Sequence, residues 1–423
     1  MEMTAIEKEN SEALSHSERD SVLRVVSAAA FLILFQSYLV APLIPALALE
    51  LHASNRLLGL LVPAYMLPYA AATLLLGPLS DRIGRRPVLL TLLGAMVLTT
   101  AGMATAHSAK QLLIWRVLAG FANSGIIPIS LALVGDLYPY EQRGRAIGWI
   151  FGAIAGGMAF GSTLGAFLNP LIGWRIIFLI LGGCAAIVLF AAIRCRDLLG
   201  DRPGHHTPSL RAWIDGYLTL VKKPRGWRTY SFILLNGIFH SGIFSWLGLY
   251  FSQRHGLGDR GIGLALLGYG VPGMLLGPTL GRIADRFGRG KIIPLGLLTA
   301  AVAAAMLMPH EPVLFAGLAV TVLSLGFDMS HPLLAGIITS LDPPRRGQAM
   351  GLNAFMLFTG LGFGSLIFQG LLSGGFAWAL GWFAAVQTVL AVIATIVFRH
   401  EDASAETKDI AAEQQFIASE EPA

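Results

Sequence analysis

The sequence has 423 residues, of which 55% are hydrophobic and only 13% charged, about half of the charged fraction that a soluble domain carries. Its formal net charge is +5, yet 24 of its 30 lysines and arginines lie in the tails and loops of one side if both termini are cytoplasmic. Because this asymmetry is the positive-inside pattern of a membrane protein, the composition excludes a soluble enzyme and a nucleic-acid-binding protein.

Twelve apolar windows of membrane-spanning length follow one another along the chain. A spanning helix needs about 20 mostly apolar residues. The windows start near Val25, Leu57, Val88, Gln111, Ala146, Ile176, Tyr230, Ile262, Ile292, Val313, Ala349 and Ala377. They predict an all-α integral membrane protein with twelve transmembrane helices joined mostly by short connectors.

The chain outside these windows consists mainly of two tails and one long connector. We predict a disordered cytoplasmic tail at 1–22, a six-helix bundle at 23–197, a cytoplasmic inter-bundle loop at 198–227, a second six-helix bundle at 228–399 and a cytoplasmic tail at 400–423. The polar, acid-rich N-terminus does not have the pattern of a signal peptide. Pro42 and Pro45 predict an interruption near the outer end of the first helix. The loop sequence LRAWIDGYLTLVKK predicts a short amphipathic helix on the inner surface.

Two patterns recur at about half the chain length. A charged turn after the second window, Gly77–Pro87, reads GPLSDRIGRRP, and one after the eighth window, Gly281–Lys291, reads GRIADRFGRGK, with Asp81 and Asp285 204 positions apart. A second set recurs at an offset of 203: Arg143, Gly144, Gly148, Gly157, Gly161 and Ser162 are repeated as Arg346, Gly347, Gly351, Gly360, Gly364 and Ser365. Two such offsets predict two structural repeats, as in transporters built from two six-helix halves.

The charged turn resembles the signature that the major facilitator superfamily carries between its second and third helices. Gly77-x-Leu79-Ser80-Asp81-Arg82-x-Gly84-Arg85-Arg86 matches every position, and the later copy lacks only the final base, where Gly290 stands. The resemblance implies two pseudo-symmetric six-helix bundles and a latch that closes the cytoplasmic side in one state and releases it in the other. It assigns to this cytoplasmic gate Gly77, Asp81, Arg82, Gly84, Arg85, Arg86, Asp285, Arg286, Gly288, Arg289, Arg143 and Arg346.

The fourth and fifth windows resemble further motifs of the same family. Arg116-x-x-Ala119-Gly120-x-Ala122 is similar to its fourth-helix arginine motif, with Ala119 in place of a polar residue. Arg116 either lines a cavity or anchors the helix at the outer interface. The fifth-window glycines predict close helix packing first, and they also resemble the antiporter motif, although Ser162 and Ala166 replace a proline and a glycine. This helix-packing set is Gly148, Gly157, Gly161 and Gly165.

Polar side chains concentrate in the first, fourth, seventh and tenth windows, the helices that line the central cavity in the resembled fold. The predicted substrate-cavity residues are Gln36, Asn123, Asn236, His240, Phe121 and Phe327. Asp328 is the one acidic residue well inside a window, and an ionisable group at that depth is a functional candidate. His331 lies on the same helix face, so we predict proton coupling by Asp328, His331 and Arg116. The alternative is that Asp328 caps a helix break near Pro332 or forms a structural pair across the bundle.

No nucleotide-binding or catalytic motif accompanies these features. The sequence has no G-x-x-x-x-G-K-[ST] loop and no G-x-S-x-G elbow or H-E-x-x-H motif. We therefore expect neither an enzyme nor an ATP-driven pump, and no cofactor. We expect no metal site either, because the chain has only two cysteines and the adjacent histidines at 205–206 lie in a solvated loop.

Together these features predict a secondary active transporter of the cytoplasmic (inner) membrane that moves a small organic solute by alternating access. We expect the transporter to work as a monomer coupled to protons, in the lipid bilayer and without a nucleic-acid partner. Proton-coupled efflux of a drug or metabolite is favoured. The alternatives are proton-coupled import and a non-transporting membrane sensor of the same fold.

Overall fold

The structure, a computed structural model, describes residues 16–138, 140–199, 210–342 and 345–401. Within these ranges all regular secondary structure is helical. The α-helices are α1 (His16–Glu50), α2 (Asn55–Leu58), α3 (Pro63–Ile83), α4 (Arg85–Met103), α5 (Ala109–Asn123), α6 (Ile126–Leu137), α7 (Tyr140–Arg194), α8 (Leu210–Lys222), α9 (Pro224–His255), α10 (Asp259–Ala265), α11 (Val271–Phe287), α12 (Arg289–Met306), α13 (Val313–Thr339), α14 (Arg346–Leu371) and α15 (Phe376–Val397).

Ten helical stretches of the described chain are long and apolar enough to cross a membrane. One of them, α7, has 55 residues and turns at Gly173, whose φ of 76° and ψ of 148° are not helical. A straight helix of that length would measure about 80 Å, against a hydrocarbon core of about 30 Å. The all-helical membrane fold is therefore confirmed, and the count of twelve crossings stays a prediction.

The predicted eighth window is not one continuous helix. It is divided into α10 and α11 by a turn at 266–270. Gly270 has a φ of 78° and caps α11, and Pro272 occupies the first turn of that helix. Glycine adopts this backbone conformation without steric cost, and proline suits a helix start because its missing N–H is not needed there. The apolar composition that predicts a span is therefore present, but local chemistry breaks the helix.

The first helix differs from its prediction at both ends. It begins at His16, so residues 16–22, predicted as part of a disordered tail, are helical, and residues 1–15 lie outside the described chain. The helix also continues through Pro42 and Pro45 to Glu50, so the predicted interruption there is wrong. The C-terminal tail is described only as far as Glu401, and the histidines at 205–206 lie outside the described residues.

Three of the four predicted packing glycines, Gly157, Gly161 and Gly165, pack α7 against α1, whereas Gly148 has open space around an added Cβ and does not take part in the packing. A Cβ added at Gly157 would lie closer than 3.0 Å to the carbonyl oxygen of Phe31, and one at Gly161 equally close to that of Phe35. One turn further, a Cβ added at Gly165 would meet the side chain of Leu39, and the Leu39 carbonyl oxygen would lie 3.3 Å away. Only a residue without a side chain lets two backbones approach this closely, which is how helices associate in lipid.

The same seam recurs in the second half of the chain at the same spacing. Gly360 and Gly364 of α14 pack against the carbonyl oxygens of Leu234 and Ile238 of α9. All four residues lie 203 positions after their counterparts in α7 and α1. The repeat in the sequence is thus a repeat in helix packing, and it relates the α1–α7 part of the chain to the α9–α15 part.

Candidate substrate and proton site

The centre of the molecule holds a group of aromatic rings around one histidine. The Nε2 atom of His240 on α9 lies within hydrogen-bonding distance of the hydroxyls of Tyr38 on α1 (3.3 Å) and of Tyr269 in the α10–α11 turn. The His240 ring stacks on Phe327 of α13 with 3.8 Å between centroids, and Phe244 stacks on Tyr269. All five side chains are buried. Helices of both halves and the broken helix therefore meet at His240.

A small cavity lies beside this histidine. Its volume of about 10 Å³ is about the room that a single water needs, and far below the ~300–1,000 Å³ of a ligand pocket. The Nδ1 atom of His240 is buried without a hydrogen-bond partner in the described chain. The cavity is lined by Ser37, Tyr38, Ala41, Val62, Met66, His240, Ser241, Phe244, Ser245 and Leu361. The cavity is therefore closed and lined by both polar and apolar side chains.

Asp328 faces the start of α11. The N–H of Gly270 donates to the hydroxyl of Ser324 (2.9 Å), and that hydroxyl donates to the Asp328 carboxylate (3.3 Å). The N–H of Gly273 donates to the same carboxylate, and a Cβ at Gly273 would lie 2.6–2.9 Å from the Asp328 carboxyl atoms. The first amides of a helix have no intrahelical partner and favour a negative charge. Asp328 and Ser324 therefore cap α11 from a neighbouring helix.

This arrangement bears on both interpretations of Asp328. The residue does cap a helix break, but the break is that between α10 and α11, because α13 continues helically past Pro332 to Thr339. Within the described residues no ion pair joins Asp328 to His331. Instead, His331 stacks on Phe327 with 5.1 Å between centroids, and its buried Nδ1 has no partner in that part of the chain. The two residues share a helix but face different surroundings.

Arg116 lies inside the first bundle and not on the central cavity. Its Nε donates to the carbonyl of Leu61 (3.0 Å) and its Nη1 to that of Gln36 (3.2 Å). The guanidinium lies over the ring of Tyr65, whose hydroxyl accepts a hydrogen bond from Asn123 (3.1 Å). Arg116 is fully buried, so it is not an interfacial anchor. These contacts connect the predicted residues of the first and fourth windows with the turn before α3.

Two other predicted cavity residues also lie away from the centre. Asn236 donates to Ser330 (3.0 Å) and accepts from Gln387 of α15 (3.2 Å), so it connects helices of the second bundle. Phe121 is 49% exposed and lines a shallow apolar groove between α4 and α5. Sequence position alone shows which helix carries a residue but not which way the side chain points.

From the sequence, Tyr38 was one of several aromatic residues expected to form apolar cavity walls, but neither its contact with His240 nor that of Tyr269 was predicted. Tyr269 lies in the predicted eighth window, which is outside the four helices expected to line the cavity. The available signal was the run Gly268-Tyr269-Gly270-Val271-Pro272, because two glycines and a proline within five residues mark a helix break. Broken helices at membrane depth line binding sites in transporters. The break brings the Tyr269 hydroxyl to His240.

The two halves contact each other closely at one end of the bundle, which we call the outer end. It lies opposite the turns at 82–86 and 286–289, which mark the inner end. The ring of Trp246 on α9 packs on Gly59, and its Nε1 donates to the carbonyl of Ser365 (3.1 Å). Asn169 of α7 donates to Asp259 at the start of α10 (2.6 Å). These contacts hold the outer end shut.

The contact between α7 and the α10–α11 region shows how far inward the two halves touch each other. A Cβ at Gly263 would lie 3.1 Å from the Thr163 carbonyl oxygen of α7, and one at Gly270 would lie 2.9 Å from Ala159. Further inward, Gly148 lies 11 residues before Ala159, close to the same helix face. Gly281 of α11 likewise lies 11 residues after Gly270. Both have open space around an added Cβ. The two helices therefore diverge towards the inner end.

The charged turn of the first half makes its described ion pairs within its own half. Arg85 pairs with Asp136 at the end of α6 and lies 3.8 Å from Asp81. Arg86 pairs with Asp197 beyond α7 at 3.7 Å. Gly84 has a φ of 98° between α3 and α4, a conformation that favours glycine. The predicted latch thus fastens α3, α4, α6 and the end of α7 to one another.

Further gate residues in the first half have local contacts. Arg143 donates to the carbonyls of Tyr138 (3.0 Å) and Gly135 (2.7 Å). Gly77 has open space around an added Cβ, and Arg82 lies in the last turn of α3.

The corresponding turn of the second half is similar in backbone and different in its partners. Gly288 has a φ of 89° between α11 and α12, matching Gly84. Arg346 donates to the carbonyl of Thr339 (3.2 Å), and Arg286 lies over the ring of Phe287. The guanidinium of Arg289 lies about 3.8 Å from the position of an added Cβ at Gly336. The side chain of Asp285 is outside the described part of the chain.

Two acids carry the inner-end pairing of the second half. Asp342 pairs with Lys223 (3.0 Å) and Arg345 (3.2 Å), and the hydrogen bond from Lys223 is the main cause that lowers the pKa of Asp342. Glu401 pairs with Arg225 (2.6 Å) and with Arg228. These pairs join α9 to the α13–α14 connection and to the end of α15, so they too remain within one half.

Comparison with known proteins agrees with this architecture. The family model described as Major Facilitator Superfamily matches residues 26–277 and 256–421. The MFS-type transporter YceJ of Bacillus subtilis strain 168 is 29% identical over 346 residues, which cover 80% of this chain and 85% of YceJ. A chloramphenicol resistance protein of Pseudomonas aeruginosa is 34% identical over 142 residues, 33% of this chain and 34% of that protein.

A solved structure shares the fold. The crystal structure of the human organic anion transporter MFSD10 (TETRAN) superimposes with a TM-score of 0.71, covering 89% of this chain and 99% of that one. The two sequences are 18% identical, so the likeness concerns the fold alone.

Proposed function

The chain belongs to the Major Facilitator Superfamily, and from this premise we propose that it exports a small organic solute across the cytoplasmic membrane in exchange for protons. Membership of this family together with the ten long apolar helices makes it a multi-pass membrane protein. Export is supported by the similarity to a chloramphenicol resistance protein and by the glycine seam between α7 and α1.

The position of Asp328 is the observation that carries the proposal. Its carboxylate is bound to the α10–α11 break through Ser324 and the amide of Gly273. The same break holds Tyr269 against His240. A charged group inside a membrane protein is costly and is a candidate for ion or substrate pathways. One acid thus lies in contact with the turn whose Tyr269 contacts His240, a residue that lines the central cavity.

A proton on Asp328 would change the interactions of this turn. The anionic carboxylate is stabilised by the amides at the start of α11, typically by 0.3–1 kcal/mol and up to about 2 kcal/mol when partly buried. Protonation removes that charge and leaves a group that donates as well as accepts. The cap weakens, and Tyr269 becomes freer to move from His240. In this mechanism proton binding and solute binding act on the same segment.

Alternating access then requires the two ends of the bundle to open in turn. The contacts of Trp246 with Gly59 and of Asn169 with Asp259 must break for the outer end to open. Since α7 and α11 diverge inward, their inner halves must approach for the inner end to close. The ion pairs of the charged turns keep each half rigid during this movement, because they join helices of the same bundle.

The test is gradient-driven transport of chloramphenicol and related resistance compounds. Cells that contain the protein should accumulate less compound than cells without it, and an uncoupler should abolish the difference. In reconstituted vesicles, Asp328→Asn should abolish transport driven by a pH gradient and leave downhill exchange, because the amide keeps the shape and loses the titratable proton.

Two further variants make this test specific. Asp342→Asn removes an inner-end acid that contacts Lys223 and Arg345, and it should keep gradient-driven transport. Ser324→Ala keeps the Asp328 carboxylate but removes its hydrogen bond to the capping hydroxyl, so it should reduce the coupled rate without abolishing it. Undiminished uphill transport by Asp328→Asn would remove this residue from the mechanism.

A further inference from the structure

The helix α8 bridges the two halves at the inner end. On one side, the hydroxyl of Tyr217 donates to the carbonyl of Leu74 in α3 (3.3 Å). On the other side, Gly216 packs directly on Gln348 of α14, and Tyr217 approaches Gly351 of the same helix. The proposed transport function uses none of these contacts. One face of α8 is therefore occupied by both bundles.

The opposite face of α8 is exposed and has a distinctive pattern. Arg211, Ile214, Leu218 and Lys222 follow one another at spacings of three or four residues, so they form one stripe along the helix. Ile214 is 50% exposed and Leu218 is 48% exposed, and both flanking cations are exposed as well. Asp215 is exposed on the same face, so the stripe has two apolar side chains in the middle, a positive charge at each end and one negative charge beside them. The apolar pair and the net positive charge match a helix that lies in a membrane interface.

The neighbouring surface continues this apolar stripe. On α3, next to the Leu74 that Tyr217 contacts, Leu75, Leu79 and Ile83 are 64%, 42% and 50% exposed at successive turns. Trp227 at the start of α9 is 61% exposed, and tryptophan is enriched at membrane–water interfaces. Since α3 runs about 13 Å further inward beyond Leu74, α8 lies beside spanning helices and not beyond their ends.

We propose that the exposed face of α8 lies in the head-group region of the inner leaflet and binds anionic phospholipid through Arg211 and Lys222. Ile214 and Leu218 then enter the boundary of the acyl chains. The occupant is the bilayer itself, because the apolar stripe is continuous with the exposed apolar residues of the membrane-spanning helix α3 and its two cations complement an anionic leaflet.

The lipid-bound position of α8 affects how far the two halves separate at the inner end. Beyond Leu74, α3 and α14 separate: an added Cβ at Gly77 or at Gly347 would meet no atom within 4 Å. Tyr217 lies where the separation begins. A lipid-bound α8 holds Tyr217 in that gap, so anionic lipid favours the conformation with the inner end open. This inference does not depend on Asp328 or on the direction of transport.

Hydrogen exchange of the full-length protein in lipid nanodiscs tests the proposal. One set of nanodiscs contains phosphatidylcholine alone, and the other contains equal parts of phosphatidylcholine and phosphatidylglycerol. Each basic residue at an anionic surface contributes about fivefold in affinity. Because Asp215 offsets one of the two cations, the amides of α8 should exchange about fivefold more slowly in the anionic nanodiscs, and at most about 25-fold. Amides of α5 in the first bundle should exchange equally in both.

Matched variants separate the lipid contact from general charge effects. The double variant Arg211→Gln/Lys222→Gln should lose the difference between the two lipids. The double variant Lys110→Gln/Arg260→Gln removes two exposed cations from the outer end and should keep it. Thermal unfolding in phosphatidylcholine nanodiscs should be the same for all three proteins, which shows that each is folded.

Three results would overturn the proposal. Equal exchange of the α8 amides in both lipids would show that the helix does not respond to the charge of the lipid. Loss of the difference in the outer-end control as well would attribute it to net charge. Inorganic phosphate that protects α8 fully in phosphatidylcholine nanodiscs would identify a site for a free anion and not for the membrane.

Discussion

The glycine seams predict opposite stability effects for the same substitution at two places on one helix. Gly161→Ala puts a methyl group closer than 3.0 Å to the carbonyl oxygen and the Cα of Phe35. Both obstacles are backbone atoms, so α1 and α7 must move apart. Overpacking of this kind costs about 1–3 kcal/mol, and alanine returns about 0.5–1 kcal/mol of helix propensity. We expect a net loss of up to about 2.5 kcal/mol.

The control is Gly183→Ala, further along α7. Gly183 is exposed and has open space around an added Cβ. Here only the helix-propensity gain remains, so stability should stay unchanged or rise by up to about 1 kcal/mol. Gly364→Ala in α14 should behave like Gly161→Ala, because its Cβ would meet the backbone of Ile238 in the corresponding seam.

These shifts are measured by thermal unfolding in detergent without added ligand, in which size-exclusion chromatography follows the loss of the folded protein. One kilocalorie per mole corresponds to about 2–4 °C for domains of 150–250 residues, so the two seam variants should melt a few degrees lower. If Gly161→Ala and Gly183→Ala shift the midpoint in the same direction and by the same amount, close backbone contact is not what selects glycine in the seam.

Two further predictions concern the ends of the bundle. In a background without native cysteines, Thr163→Cys/Gly263→Cys should form a disulfide readily and stop transport, because these backbones are in contact at the closed outer end. Gly148→Cys/Gly281→Cys should form a disulfide only when the inner end closes. If this second disulfide also formed in a protein whose outer end is already locked by the first, that result would contradict alternating access. At the inner end, burial raises the pKa of Glu401, but hydrogen bonds and positive charge from its two arginine partners outweigh burial and hold the pKa below its ordinary value. The stability that this pair adds is present above the unfolded glutamate pKa of about 4.3 and is lost as the pH falls through the folded value. Glu401→Gln should therefore lower the melting temperature at pH 7. Below about pH 4.5 the melting temperature of the variant should fall less steeply with pH than that of the original protein. An equal fall in both proteins would refute the pairing.

The sequence was sufficient for the architecture because lipid imposes a simple condition on a span. Every backbone polar group must be satisfied within the segment, so a run of about 20 apolar residues predicts a helix. The repeats at offsets of 203 and 204 predicted two related halves, and the glycine spacing predicted a close helix packing, which the structure has between α7 and α1. The charged turns identified the family. The loop pattern also predicted the amphipathic helix, which the structure has as α8 (Leu210–Lys222).

The orientation of side chains within the helices was decided only by tertiary packing. In a soluble helix, the polar face marks the solvent. In a membrane bundle, lipid tails are as apolar as the interior, so the sequence does not distinguish the exposed groove that Phe121 lines from the buried aromatic group in which Phe327 stacks on His240. Arg116 and Asn236 found partners within their own bundles for the same reason. Their helices were predicted, but the neighbours that satisfy them come from distant parts of the chain.

The broken eighth helix shows most clearly which features follow from the sequence and which depend on tertiary packing. The sequence of residues 268–273 indicates the break, since three glycines and a proline weaken a helix locally. The partners of the break do not follow from them: the hydroxyl of Ser324 and the carboxylate of Asp328 reach it from α13, more than fifty residues later. Local chemistry determined that this helix could open, and only long-range packing decided which charge would cap it and which tyrosine it would bring to His240.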